Sequence, residues 1–170
     1  MGVWEVKPDD ERPRWEFTPF DGVGPLRFGM DRHEVAAALA EPARASWDYP
    51  AGHRYAEVEF RELGVTAYFD RSRLACVALD ARRGPQAELD GMPLVGQPPS
   101  RVERWLIEYT TIHGFDLRYQ PEGDPGAPDL GLCMRAQRAG DVMLTRPLLM
   151  TAEWIRDPWT HVPAAEWRVG

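Results

Sequence analysis

Catalysis needs nucleophiles, general bases or metal ligands at workable spacing, and this chain supplies few. Its three serines, Ser46, Ser72 and Ser100, fall in a loop, a turn and a predicted helix start. None occupies the G-x-S-x-G elbow that presents a serine to a histidine and a carboxylate. The four histidines, His33, His53, His113 and His161, are scattered, and no two stand four apart, the spacing that puts two imidazoles on one helical face for a metal. Cys76 and Cys133 lie in strand-like runs without a Cys-x-x-Cys partner and read as buried free thiols. The stretch "DGVGPLRFG" carries Gly22, Gly24 and Gly29, but at the wrong spacing for a dinucleotide loop, and Pro25 removes an N–H that a phosphate would use. The stretch "PEGDPGAPD" offers Asp124 and Asp129 to a metal, yet its Pro and Gly content predicts a flexible surface loop. The expectation is a non-enzymatic protein with no catalytic residues, no metal and no cofactor.

Paired carboxylates remain as recognition groups. In "YAEVEF" the residues Ala56, Val58 and Phe60 point one way and Tyr55, Glu57 and Glu59 the other. In "GVTAYFD" Val65, Ala67 and Phe69 likewise oppose Thr66, Tyr68 and Asp70. With the apolar sets turned to a core, Tyr55, Glu57, Glu59, Tyr68 and Asp70 gather on an exposed face suited to a basic protein partner. An alternative is a small-molecule-binding protein or enzyme with a pocket between the two halves, walled by Trp47, Trp105 and Tyr109, where Asp or Glu acts as acid or base. A third reading is self-association through the Trp-bearing ends, although the sequence sets no oligomeric state.

The elements that must position these groups follow from periodicity. In "GMDRHEVAAALAEP" Asp31 caps a helix, Glu34 completes a capping box, Val35, Ala38 and Leu39 share a face, and Pro42 ends it. A looser copy, "GQPPSRVERWL", starts 67 residues later. There Ser100 and Glu103 form the box, Val102, Trp105, Leu106 and Tyr109 form the stripe, and His113 beside Gly114 marks the end. Runs at 55–60, 64–70 and 73–81 predict a meander, and runs at 115–119, 130–137 and 141–146 predict another. Gly29, Val35 and Leu39 map onto Gly96, Val102 and Leu106, and Gly64, Val65 and Ala67 onto Gly131, Leu132 and Met134, all at one offset, with Leu74 mapping onto Val142 one residue further.

The expected fold class is α+β: two tandem units, each a helix followed by an antiparallel β-meander, packed as one compact domain. The expected boundaries are a Trp-containing N-terminal extension over 1–20, a first unit over 21–90, a second over 91–149, and a Trp-rich C-terminal tail over 150–170. Trp4, Trp15, Trp154, Trp159 and Trp167 lie in the two end segments, which are expected to wrap back onto the domain.

Composition narrows the partners. Of 170 residues 44% are hydrophobic, enough for a core. Twenty basic against 27 acidic side chains leave a net charge of −7, the wrong sign for a phosphate backbone, and the Arg82–Arg83 pair does not overturn it. Nucleic acid is not an expected partner. Nor is a membrane, since no segment approaches a span and charges and prolines interrupt the opening residues as they would not in an export signal. The protein is expected to be cytoplasmic. A single lysine, Lys7, and no asparagine point to a GC-rich, bacterial coding sequence.

The first helix segment resembles a family pattern. Gly29, Met30, Glu34, Val35, Leu39 and Pro42 sit as in the G-M-x-x-x-[EQ]-V-x-x-x-L-G-x-P segment of the SmpA/OmlA-like domain of outer-membrane assembly lipoproteins. The two-unit layout and length resemble the beta-lactamase inhibitory proteins, whose tandem helix-plus-meander units present a curved sheet to the protein they inhibit. Ala40 stands where the lipoprotein pattern has glycine, and no cysteine follows an apolar export signal, so the resemblance implies no lipid anchor. What it implies is a scaffold for protein binding, as an inhibitor or an immunity-type antidote to a basic toxin.

Overall fold

A computed structural model describes residues 2–41, 55–156 and 162–169, with the backbone alone at 45–48. In chain order the strands and helices are β1 (Arg14–Thr18), β2 (Gly22–Val23), β3 (Leu26–Arg27), α1 (Arg32–Leu39), β4 (Ala45–Asp48), β5 (Tyr55–Phe60), β6 (Val65–Asp70), β7 (Arg73–Leu79), β8 (Gln86–Leu89), β9 (Met92–Pro93), α2 (Pro99–His113), β10 (Arg118–Tyr119), β11 (Pro125–Ala127), β12 (Leu132–Ala139), β13 (Val142–Met150) and α3 (Ala152–Arg156). The protein is α+β, with two mostly antiparallel sheets.

The larger sheet has eight strands in the order β10-β11-β12-β13-β7-β6-β5-β4. Its two meanders therefore form one continuous surface, joined where Leu148, Leu149 and Met150 of β13 face Ala78, Val77 and Cys76 of β7. The smaller sheet runs β3-β2-β1-β8-β9. Residues 14–18, expected as part of an extension, are its middle strand, parallel to β8 with Arg14 opposite Gln86 and Trp15 opposite Ala87.

One face of the eight-stranded sheet carries the main core. Val58 and Phe60 of β5, Val65, Ala67 and Phe69 of β6, and Val77 and Leu79 of β7 pack with Val35 and Leu39 of α1 and Val102 and Leu106 of α2. Each such aliphatic or aromatic side chain contributes about 1.5–3 kcal/mol by leaving water. Trp15 and Trp154 are buried, whereas Trp4 and Trp167 stay about half exposed, and Trp159 lies outside the described residues, as do His53 and His161.

The first helix starts as expected: the Asp31 carboxylate accepts from the Glu34 N–H at 2.8 Å, and Glu34 accepts from the Asp31 N–H at 3.3 Å. It ends at Leu39, with Ala40 in the left-handed region at φ 51°, while Pro42 lies outside the described residues. An L side chain there costs about 1–2 kcal/mol, which glycine avoids at some cost in unfolded-chain entropy. Ala40→Gly is therefore expected to stabilise by about 1 kcal/mol, a rise of about 3 °C in a thermal melt. The second helix departs from expectation. It begins at Pro99 with Pro98 as a cap that makes no side-chain hydrogen bond, so Ser100 and Glu103 form no capping box; proline's fixed φ starts this helix instead. His113 closes it with Nδ1 2.8 Å from the Tyr109 carbonyl, ahead of Gly114.

Two further expectations are corrected. Of 115–119 only Arg118–Tyr119 is strand. The "PEGDPGAPD" stretch is no flexible loop, because Pro125, Gly126 and Ala127 form a buried strand between β10 and β12. Each meander is tied to the residues before its helix by a matching pair of bonds. The Gly29 N–H donates to the Leu74 carbonyl and the Leu74 N–H to that of Met30, at 2.9 and 2.7 Å; the Gly96 N–H donates to the Thr145 carbonyl and the Thr145 N–H to that of Gln97, both at 2.9 Å. By this pairing the counterpart of Leu74 is Thr145, three residues beyond the Val142 expected from the sequence.

Candidate functional site

The other face of the eight-stranded sheet collects the polar groups. Strand alternation and the pairings Tyr68↔Cys76, Ala78↔Leu148 and Arg146↔Arg135 place Glu57, Glu59, Tyr68, Cys76, Ala78, Arg135, Arg146 and Leu148 on it together. Two pieces of chain cover its middle: α3, through Trp154, and residues 162–169, whose 3-10 turn brings Glu166 down onto the strands.

Glu166 is the centre of a buried charge network. The Arg146 guanidinium grips it through Nε to Oε2 at 2.6 Å and Nη2 to Oε1 at 3.0 Å, and the Tyr68 hydroxyl donates to Oε1 at 2.5 Å. Arg146 also donates through Nη1 to Gln137 Oε1 at 3.1 Å and lies 3.7 Å from Asp80 Oδ2. Asp80 accepts from Gln137 Nε2 and from the Arg82 and Arg83 N–H groups. On the far side Arg135 faces Asp124 at 2.9 Å, reaches the Glu166 carbonyl through Nη2, and lies 4.3 Å over the Trp167 ring. Two neighbouring guanidiniums, Arg146 and Arg135, thus lie in one row of the sheet flanked by the carboxylates of Asp80 and Asp124, with Glu166 set on top.

Charges out of water persist only when paired and hydrogen-bonded. Burial pushes the Glu166 carboxyl up, but Arg146, its hydrogen bonds and the Tyr68 hydroxyl outweigh burial and hold it below its ordinary value. Burial, then the neighbouring Glu166 charge, drives the Tyr68 hydroxyl well above its usual range. Burial also raises both thiols, Cys133 to about 12, so neither is an activated nucleophile. A depressed folded carboxyl value means stability that is present above the ordinary glutamate range and lost as pH falls through the lower folded value. Melts of wild type and Glu166→Gln are accordingly expected to converge as pH falls through and below the ordinary glutamate range, with wild type the more stable at neutral pH; parallel curves would contradict this.

Beside Glu166 a cavity of about 180 Å³ remains, lined among others by Glu57, Glu59, Arg61, Tyr68, Asp80, Arg83 and Arg146. Arg61 meets Glu59 at 3.4 Å and Arg146 is engaged through all three of its nitrogens, but Arg83 makes no side-chain hydrogen bond or ion pair among the described residues, and its Nε is buried.

The expected binding face is thus only partly open. Tyr68 is fully buried rather than exposed, because Glu166 and Trp154 sit over it. Tyr55 is half-buried, its ring edge-on to Trp154 and its hydroxyl accepting from the Ala164 N–H at 3.2 Å. Glu57 and Glu59 line the cavity with Tyr68. Asp70 stands opposite Tyr55 across β5 and β6, on the strand face expected for it, but at that end of the strand it lines a separate space of about 530 Å³ with Phe20, Phe28 and Arg73 rather than the cavity beside Glu166. The alternative pocket is not assembled from its expected walls. Trp105 and Tyr109 pack on each other along α2 at 4.8 Å, Tyr109 donates to Asp90 and stacks on His113, and neither lines the cavities described here. The Trp47 side chain lies outside the described residues. Asp124 is taken by Arg135 and Asp129 accepts from the Asp116 N–H. Among the described residues no cluster of His, Cys, Asp and Glu can hold a metal, and no helix is long and apolar enough to cross a membrane.

Sequence reasoning missed Arg135, Gln137, Arg146, Asp80 and Glu166. A signal existed in "LGLCMRAQ", where Cys133, Arg135 and Gln137 alternate on one face, but their partner Glu166 comes from a distant segment without strand pattern. Compared with known proteins, the chain matches no family model, no curated protein and no solved structure.

Proposed function

We propose that this chain is a non-enzymatic protein-binding module, an inhibitor or immunity-type protein, that engages a basic partner through the outer face of the eight-stranded sheet. The observation that carries the reading is the pair Glu57 and Glu59, half-exposed on one strand beside an open cavity in a sheet face that, among the described residues, no second layer of helices or strands covers completely. The net charge of −7 favours encounter with a basic surface, and rim carboxylates act mainly on the rate and salt dependence of association. The repeated pair of bonds before each helix supports a duplicated helix-plus-meander unit as the origin of the long sheet. Two free buried thiols and the arginine-over-lysine usage fit a bacterial, cytoplasmic protein.

The test is retention of a partner encoded near the chain, followed by charge reversal. With Glu57→Lys and Glu59→Lys together, association with that partner is expected to slow about tenfold and to lose most of its salt dependence. An unchanged rate and salt slope would refute the assignment of this face.

A further inference from the structure

The hold on Glu166 is that of a receptor site on a ligand. Arg146 sits on a central strand, buried, and presents its planar fork to the carboxylate in two hydrogen bonds, while Tyr68 adds a third. This bidentate geometry is the one guanidinium groups use to select carboxylates. The residues that supply the carboxylate are attached differently from the rest of the layer. Among the described residues, the backbone-to-backbone hydrogen bonds of 162–169 stay within the segment, from the Glu166 N–H to the Pro163 carbonyl and from the Val169 N–H to that of Glu166. Among the described residues, the hydrogen bonds that tie it to the sheet all run through sheet side chains, those of Tyr55, Tyr68, Arg135 and Arg146, and Val162 packs into the apolar cluster around Trp154. The segment also fits incompletely, leaving the cavity of about 180 Å³ and, within it, Arg83 without an acceptor.

From this geometry we propose that Arg146 and Tyr68 form a carboxylate-binding site for an acidic side chain of a partner segment, with Arg135 beside them to hold that segment's main-chain carbonyl, and that residues 162–169 are its tethered competitor, lifted when the partner seats. Arg83 supplies a cation for a second acceptor that the internal segment does not provide. The partner's anchor is then an acidic residue within a basic surface: the acid seats on the arginine floor, and the surrounding bases meet Glu57 and Glu59 at the rim. The inference deepens the protein-binding reading of this face, but its test needs no partner, so the two fail separately.

The probe is the peptide VPAAEWRVG, the chain's own residues 162–170, added to the full-length protein. The peptide is expected to bind the Glu166→Ala and Glu166→Gln variants at least tenfold more tightly than wild type, and to lose that gain when its glutamate is replaced by glutamine. Equal binding of the two peptides, or no binding to folded variants, overturns the proposal. Hydrogen exchange on the wild-type protein covers variants that fail to fold: the bonded amides of Glu166 and Val169 are expected to exchange at least 100-fold faster than those of Tyr68 and Val77. Equal protection would make the segment an integral part of the fold and overturn the proposal as well.

Discussion

Arg146→Met is expected to destabilise the protein by about 3–5 kcal/mol in urea or thermal unfolding, whereas Glu166→Gln is expected to cost about 2 kcal/mol. The asymmetry follows from where the two charges sit. Arg146 is fixed in β13, and its loss leaves Asp80 and Glu166 as carboxylates facing no guanidinium on that side, next to an Arg135 already engaged by Asp124. Methionine keeps the volume of the stem but none of the donors, so the cost is that of orphaned charge rather than of a cavity. Glu166 sits on a segment that, among the described residues, makes no backbone-to-backbone hydrogen bond to the sheet; when its charge goes, local opening lets water reach Arg146. Equal losses for the two variants would mean that 162–169 is as firmly part of the fold as the strand beneath it.

Gly64→Ala is the second large effect, with an expected loss of about 3 kcal/mol or more. Gly64 ends the β5–β6 turn at φ 70°, and an added Cβ would stand 2.7 Å from the Gly84 nitrogen and 2.8 Å from its Cα. These are backbone atoms, which cannot rotate away. The turn is pinned there because the Asp80 N–H donates to the Gly64 carbonyl and the Gly84 N–H to that of Asp80. Pushing the two turns apart strains the segment that aims Asp80 at Arg146, so the loss reaches the charge network. Gly91 is the matched control: its φ is 79° but nothing lies within 4 Å of an added Cβ. Gly91→Ala is expected to cost about 1 kcal/mol, the conformational penalty alone. A difference near zero between the two variants in the same melt would rule out the backbone clash.

Local pattern made β5, β6, β7, β12, α1 and the stripe of α2 legible, because alternation and helical period report which side of an element is buried. It did not reveal β1, β8 or β9. Their hydrophobic residues are few, turns interrupt them, and β8 is specified as much by Gln86 as by apolar groups: its amide accepts from the Leu94 and Val95 N–H groups and donates to the Val95 carbonyl. Of the candidate site, Glu57 and Glu59 were placed on the correct strand face, but the burial of Tyr68 was not foreseen. That burial depends on Glu166, almost a hundred residues away, and contacts of such separation leave no trace in a short window. Of the carboxylates expected on the acidic surface, Glu59 is met by Arg61 of the turn that follows, while the strand arginines Arg135 and Arg146 pair with Asp124, Asp80 and Glu166, which the local pattern did not place on that face.

The parallel pairing of β1 with β8 also sets an order of events during synthesis. Residues 14–16 find their partners only at 86–88, and Arg12, beneath them, is satisfied by the carbonyls of Ala81, Arg82 and Gly84. A nascent chain that has just completed its first helix and meander therefore still carries Arg14 and Trp15 without their parallel neighbours, and Arg12 without its acceptors. Closing so long a loop is slow compared with forming hairpins. The opening residues are thus the first to be made and among the last to settle, and the ribosome must deliver the start of the second half before the first can lock.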